Sequence, residues 1–261
     1  MRTKQASQIQ KRRKKRSKLS LLFVGICVAG ASIAAFNLTS AILTYRAINA
    51  FSREIRESYV MMAPDNFRHI DWEALQARNE DVVAWIYFPG THIDYPILAG
   101  VDNDEYLHLN LDRQFSLAGS IFLEENNSHQ FTDQNTIIYG HHIFGLYGFE
   151  RSKFSDIHEI VAGNVTGFRY VYIYLPDHTV LIYRVVSAQA TTIYSMIYHQ
   201  PVQDEFAFFT EMFAGNVLNV DFDLIGTPRT ITLSTCEVLG AYDPRRSVVF
   251  GVLVDEVTLN R

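Results

Sequence analysis

Hydrophobic positions change their spacing three times along the chain. From Leu19 to Thr44 no residue is charged, and apolar side chains run almost without a break. As a helix, this stretch would extend about 39 Å, more than the bilayer hydrocarbon core of about 30 Å. From Tyr45 to Val60, Ile48, Phe51, Ile55 and Tyr59 recur near helical spacing among polar residues, which predicts a juxtamembrane helix. A short helix is predicted over Trp72–Arg78, with Asp71 as its N-cap.

From Val82 onward the pattern is that of short strands and turns. Val82–Tyr87 reads as a strand closed by the turn signal Phe88-Pro89-Gly90, and Ser120–Leu123 and Thr136–Tyr139 are short apolar runs. Phe168–Tyr174 and Val180–Ala188 flank Pro176-Asp177-His178 and read as a hairpin. Gln203–Phe213, with Phe206, Phe208, Phe209 and Phe213, reads as a helix. Two last strands, Thr230–Cys236 and Ser247–Val254, are separated by a short loop and are expected to be antiparallel neighbours. Many short strands with few helices predict a mostly β fold, a closed or nearly closed barrel with helical insertions.

Charge sharpens the reading of the N-terminus. Residues 1–18 carry nine Lys/Arg and no acid, whereas the rest of the chain carries 28 acids against 14 bases. A basic tail can serve nucleic acid. Placed directly before an uncharged span, however, it reads as a topology signal that stays cytoplasmic and leaves the C-terminal part outside. Small residues at Ala29-Gly30-Ala31-Ser32 and Ala34-Ala35 would suit a signal peptidase, but the apolar run exceeds a typical signal h-region, so a retained anchor is expected. The expected division is a basic cytoplasmic tail (1–18), a single-pass transmembrane anchor (19–44), a juxtamembrane helix or linker (45–70) and a catalytic domain outside the membrane (71–261).

Cys27 lies in the apolar segment and Cys236 at the end of a strand, so no disulfide is expected and Cys236 stands out as a reactive-thiol candidate. Arg245-Arg246 opens the next strand, so a guanidinium can face the same site as the thiol. A thiol near a permanent positive charge is the arrangement that makes a nucleophile. Taken alone, such a pair also fits a buried structural cysteine and a surface arginine. Of nine histidines, His69, His92, His108, His129, His158, His178 and His199 stand alone, where surface or structural roles are the default. The exception is Ile137-Ile138-Tyr139-Gly140-His141-His142, in which an apolar strand ends in glycine and then histidine. The glycine would let backbone or substrate approach closely.

Tyr139-Gly140-His141, Thr232-Leu233-Ser234-Thr235-Cys236 and an arginine ten residues after the cysteine together resemble the sortase family, membrane-anchored cysteine transpeptidases of Gram-positive bacteria. The resemblance covers roughly Asp71 to Leu253. Gly90-Thr91-His92-Ile93-Asp94-Tyr95-Pro96-Ile97 is similar to the family's early strand segment. Asp102-Asn103-Asp104-Glu105-Tyr106-Leu107-His108, Gly119-Ser120-Ile121-Phe122 and the helix at Gln203–Phe213 resemble class B members.

That resemblance implies a sortase-type barrel with Cys236 as nucleophile, His141 as acid/base partner and Arg246 as third catalytic residue, with Arg245 as the runner-up and His142 a bystander. It implies that Tyr139 and Thr235 line the substrate groove; on geometric grounds alone, the backbone N–H of Glu237, directly after the nucleophile, is a candidate donor to an oxyanion hole. Implied partners are surface proteins or pilins bearing a C-terminal sorting signal, with an amine of the peptidoglycan precursor or a pilin lysine as acceptor. Wall anchoring and pilin polymerisation both remain open, as does a membrane-anchored binding protein that kept the fold but not the activity. A papain-like hydrolase fits less well, because its cysteine precedes the histidine. No paired Cys/His spacing, acidic calcium loop or Gly-rich phosphate loop suggests a metal or cofactor.

Overall fold

The computed structural model describes residues 2–62, 67–143, 151–220, 222, 226–236 and 244–259, with backbone alone for residues 2–19 and Cys236. The chain divides into two compact units, Met1–Ala47 and Ile48–Arg261. A long helix, α1 (Arg2–Tyr59), runs through the first and enters the second. In the first unit Leu21, Phe23, Ile26, Ile33 and Phe36 are all exposed. The helix is long and apolar enough there to cross a membrane.

In the second unit the helical spacing read from the sequence does its packing. Ile55 is buried, and Phe51 and Tyr59 lie partly buried against Trp72, Leu75 and Trp85. Short strands β1 (Val60–Met62) and β2 (Arg68–Ile70) pair antiparallel after the helix. The next helix, α2 (Trp72–Arg78), starts where Asp71 Oδ1 accepts the amide N–H of Ala74 at 3.0 Å, the capping expected from sequence.

The barrel strands are β3 (Val82–Tyr87), β4 (Asp94–Leu98), β5 (Ile121–Leu123) and β6 (Asn135–Tyr139). A small side ribbon of β7 (His142–Ile143) and β8 (Ser152–Lys153) leads into α3 (Ser155–Val161). The hairpin β9 (Tyr170–Tyr174) and β10 (Thr179–Thr192) follows, then α4 (Glu205–Ala214), β11 (Thr230–Cys236) and β12 (Arg245–Thr258). The barrel closes in the order β10-β12-β11-β6-β5-β4-β3-β9. Only the β6–β11 and β4–β5 neighbours are parallel; the others are antiparallel.

Alternation along the strands explains the layers. Ala84 and Ile86 of β3, Ile231 and Leu233 of β11 and Val249 of β12 join the central core, which α3 completes with Ile157 and Ile160. The opposite face of β12 (Val248, Phe250, Val252) is covered by Phe208, Phe209 and Met212 of α4. Full burial of each such side chain contributes about 1.5–3 kcal/mol. Both β10 and β12 run farther than their apolar alternation indicated, because they pair from Thr179↔Thr258 to Thr192↔Arg245 and backbone bonding continues through mostly polar residues at the ends.

Candidate active site

Strand register brings the sequence-predicted residues to one end of the barrel. In the parallel β6–β11 pair, Tyr139 is level with Ser234, and the amide of Gly140 donates to the Ser234 carbonyl at 3.2 Å. Gly140-His141 therefore leaves β6 beside Thr235-Cys236 of β11. Because β12 runs antiparallel to β11, its first residues lie at that same end, and Arg246 is the register partner of Cys236.

A cleft of about 270 Å³ opens here, walled by Tyr139, His141, Thr235 and Arg246 from these three strand ends. Leu107 and Tyr198, each the last residue of a short 3-10 helix, and Ile193, just after β10, close it. Strand alternation separates the two arginines. Arg245 is exposed, whereas Arg246 is half-buried, lines the cleft and donates from Nη1 to the Arg245 carbonyl at 2.8 Å. Glu237, the expected oxyanion-hole donor, lies outside the described residues.

His141 Nε2 sits 2.7 Å from the carbonyl oxygen of Leu107, and its ring stacks on His108 at 5.9 Å between centroids. Burial pushes the His141 pKa below the ordinary histidine value. The Leu107 bond opposes that shift, while the charges of His108, Lys153 and Arg246 add to it. The imidazole is thus mainly neutral at pH 7. His142 does not line the cleft; it is buried and stacks on His158 at 4.6 Å.

The Tyr139 hydroxyl donates to Glu124 Oε2 at 2.8 Å, and its ring stacks on Tyr198 at 6.4 Å. Burial and the Glu124 carboxylate hold the phenol far above its usual pKa, so it stays protonated. The Tyr198 hydroxyl lies 2.8 Å from Ser234 Oγ. Thr235 is buried, and its hydroxyl has no hydrogen-bond partner among the described residues.

Gly140 differs from expectation. A Cβ there would meet Ile121 Cδ1 and the Phe154 ring. Core side chains, rather than substrate, occupy the space that the glycine leaves. Sequence reasoning left out Leu107, His108, Glu124 and Tyr198. His108 is separated from His141 by many residues, so no local spacing marked the pair; the proximity is tertiary.

Among the described residues no group of three or more His, Cys, Asp or Glu is placed to hold a metal ion. The cleft lies at the strand end that carries Cys236, and its neutral imidazole and permanent cation suit acyl transfer.

Comparison with known proteins identifies the family. The Sortase domain family matches residues 86–254. Sortase B of Listeria monocytogenes is 33% identical over 183 residues, covering 69% of this chain and 72% of that protein. The crystal structure of sortase B from B. anthracis in complex with AAEK1 superposes with a TM-score of 0.66 at 26% identity, covering 82% of this chain and 99% of that one. A Streptococcus pyogenes class B sortase involved in pilus biogenesis gives 0.59 at 26% identity, over 70% of this chain and 98% of that one. A barrel whose β6, β11 and β12 converge on one cleft, matched along most of its length by these proteins, thus belongs to the sortase family, and the chain is a class B sortase, a cysteine transpeptidase of the kind that anchors surface proteins.

Proposed function

We propose that this class B sortase is held in the cell membrane by residues 19–44, with residues 1–18 in the cytoplasm and the domain of residues 71–261 outside. There it cleaves a C-terminal sorting signal through a thioester on Cys236 and passes the acyl group to an amine of the cell wall. The observation that carries the reading is the double register at the cleft: Tyr139 beside Ser234, and Cys236 beside Arg246.

In this reading neutral His141 takes the thiol proton of Cys236, and the sulfur attacks a backbone carbonyl of the signal. The tetrahedral oxyanion receives hydrogen bonds from Arg246, worth about 3 kcal/mol if preorganised. The C–N bond breaks, His141 returns its proton to the departing amine, and the thioester remains. An acceptor amine then attacks that carbonyl, His141 accepts its proton, and the thiol is regenerated as the new amide forms. No net oxidation occurs. Tyr139 and Thr235 flank the scissile bond as groove residues, with the Glu237 N–H as a further oxyanion donor.

Pilin polymerisation through a lysine side chain is the second reading, supported by the likeness to the Streptococcus pyogenes sortase of pilus biogenesis. Incubating the full chain in detergent with sorting-signal peptides, and with either peptidoglycan-type amines or a lysine-bearing pilin segment, separates the two. Transfer to the wall-type amine supports anchoring, and transfer only to the lysine segment replaces it by polymerisation. Release of free acid with every acceptor would contradict both.

A further inference from the structure

A second cavity, of about 300 Å³, lies between the last turns of α1 and the barrel wall, apart from the catalytic cleft. We propose that it binds a phosphate group through Arg56, Arg68 and Arg151.

The local charge runs against the background. Residues 19–261 carry twice as many acids as bases, yet three arginines line this one cavity, with His92, Asn49 and Ser52 beside them. Asp94 also lines it, but its oxygens are already engaged. They accept from Arg68 Nε at 3.0 Å, Arg68 Nη2 at 2.8 Å and Trp85 Nε1 at 2.8 Å. Arg68 is buried and fixed further by the Tyr87 ring, 3.1 Å below its guanidinium carbon. Its remaining nitrogen, Nη1, has no hydrogen-bond partner among the described residues. Such a buried, pre-oriented donor costs free energy unless an acceptor reaches it.

The other cations are held differently. Arg151 leans on Asp156 at 3.2 Å and Glu159 at 3.8 Å, and Asp156 also takes the backbone N–H and ring nitrogen of His92. Arg56 has no carboxylate partner among the described residues, so its charge is the surplus one in the cavity. A planar guanidinium fork matches the oxygens of a phosphate, and the volume accommodates one with room for an attached polar group.

The phosphate could come from a lipid headgroup or from a free phosphate. Asn49 follows Thr44, the end of the uncharged run, by only five residues; the lipid source therefore rests on the anchor reading, whereas the site itself does not.

The test uses the full chain in an uncharged detergent, titrated with inorganic phosphate and, separately, with a short-chain phosphatidylglycerol, binding being followed by ³¹P NMR. Saturable binding is expected. It should weaken about tenfold or more in Arg56→Gln and Arg151→Gln and stay unchanged in Arg53→Gln, an exposed arginine outside the cavity. Arg56→Gln leaves the Arg68–Asp94 pair intact, so its result stands even if Arg151→Gln misfolds. Tighter binding of the lipid assigns the site to the membrane; equal binding assigns it to free phosphate. Absence of saturable binding of either probe, or unweakened binding in Arg56→Gln, overturns the proposal.

Discussion

The Nε2 atom of His141 lies 2.7 Å from the carbonyl oxygen of Leu107. A carbonyl can only accept, so Nε2 carries a hydrogen, and in the neutral ring Nδ1 is the basic atom. The proton taken from the thiol and returned to the amine should therefore travel through Nδ1. Nitrogen-15 NMR of the protein labelled at histidine should show the His141 signal as the Nε2–H tautomer above its pKa. A dominant Nδ1–H tautomer would remove this assignment.

The acid limb of kcat/KM reports a base that must be unprotonated in the free enzyme. Burial holds His141 below the ordinary histidine value, so this limb should lie below about pH 6.5. Arg246 contributes to the depression through its charge. Arg246→Ala should therefore move the limb to higher pH, and lower kcat by about 10²–10³ as the oxyanion donor is lost. Arg245→Ala, on the exposed face, should change neither by much, and His142→Ala, buried but outside the cleft, should leave the limb in place. If Arg245→Ala has the larger effect, the arginine assignment is wrong.

Lys153 is buried, with its ammonium 5.0 Å from the Tyr95 ring, and burial pushes its pKa from the usual 10.5 down to about 8. The folded state thus releases the proton more readily than the unfolded state. Stability should rise as the pH climbs from about 8 to 10.5, with the full penalty present below 8. Lys153→Met should raise stability at pH 7 by on the order of 2 kcal/mol, the lost cation–π contact offsetting part of the gain. Urea unfolding across this pH range would show it as a higher midpoint and a flatter profile. A destabilised Lys153→Met would mean that the ammonium is better compensated than its surroundings indicate.

Gly140→Ala places a methyl group against Ile121 and Phe154. Overpacking of this kind costs about 1–3 kcal/mol. Because Gly140 also bonds to Ser234 between the two strand ends, transpeptidation should fall along with the urea midpoint. Wild-type stability in this variant would show that the neighbours yield freely.

Where a segment showed a period or a capping residue, the sequence was legible. The capped helix at Trp72–Arg78 and the strand at Val82–Tyr87 form with the expected bounds, and the short loop after Cys236 correctly implied antiparallel neighbours. The β1–β2 and β7–β8 ribbons went unread because strands of two or three residues are too short to display a period, and α3, no shorter than α2, went unread because no side-chain N-cap marks its start. At the cleft, Tyr139, His141, Thr235 and Arg246 were legible from strand-end position and from the family motif. Leu107, His108 and Tyr198 were not, since the short 3-10 turns that carry them reach the cleft only through tertiary packing. Gly140 was recognised as a site of close approach, but what approaches it could be known only once Ile121 and Phe154 were placed.

The most direct test of Cys236 as nucleophile is intact mass spectrometry of the full chain with a panel of sorting-signal peptides, before and after an acceptor amine is added. The expected result is an acyl adduct on Cys236, labile to hydroxylamine, that disappears as the amide product forms and is absent in Cys236→Ala. Undiminished transpeptidation by Cys236→Ala, or an adduct on any other residue, would contradict it.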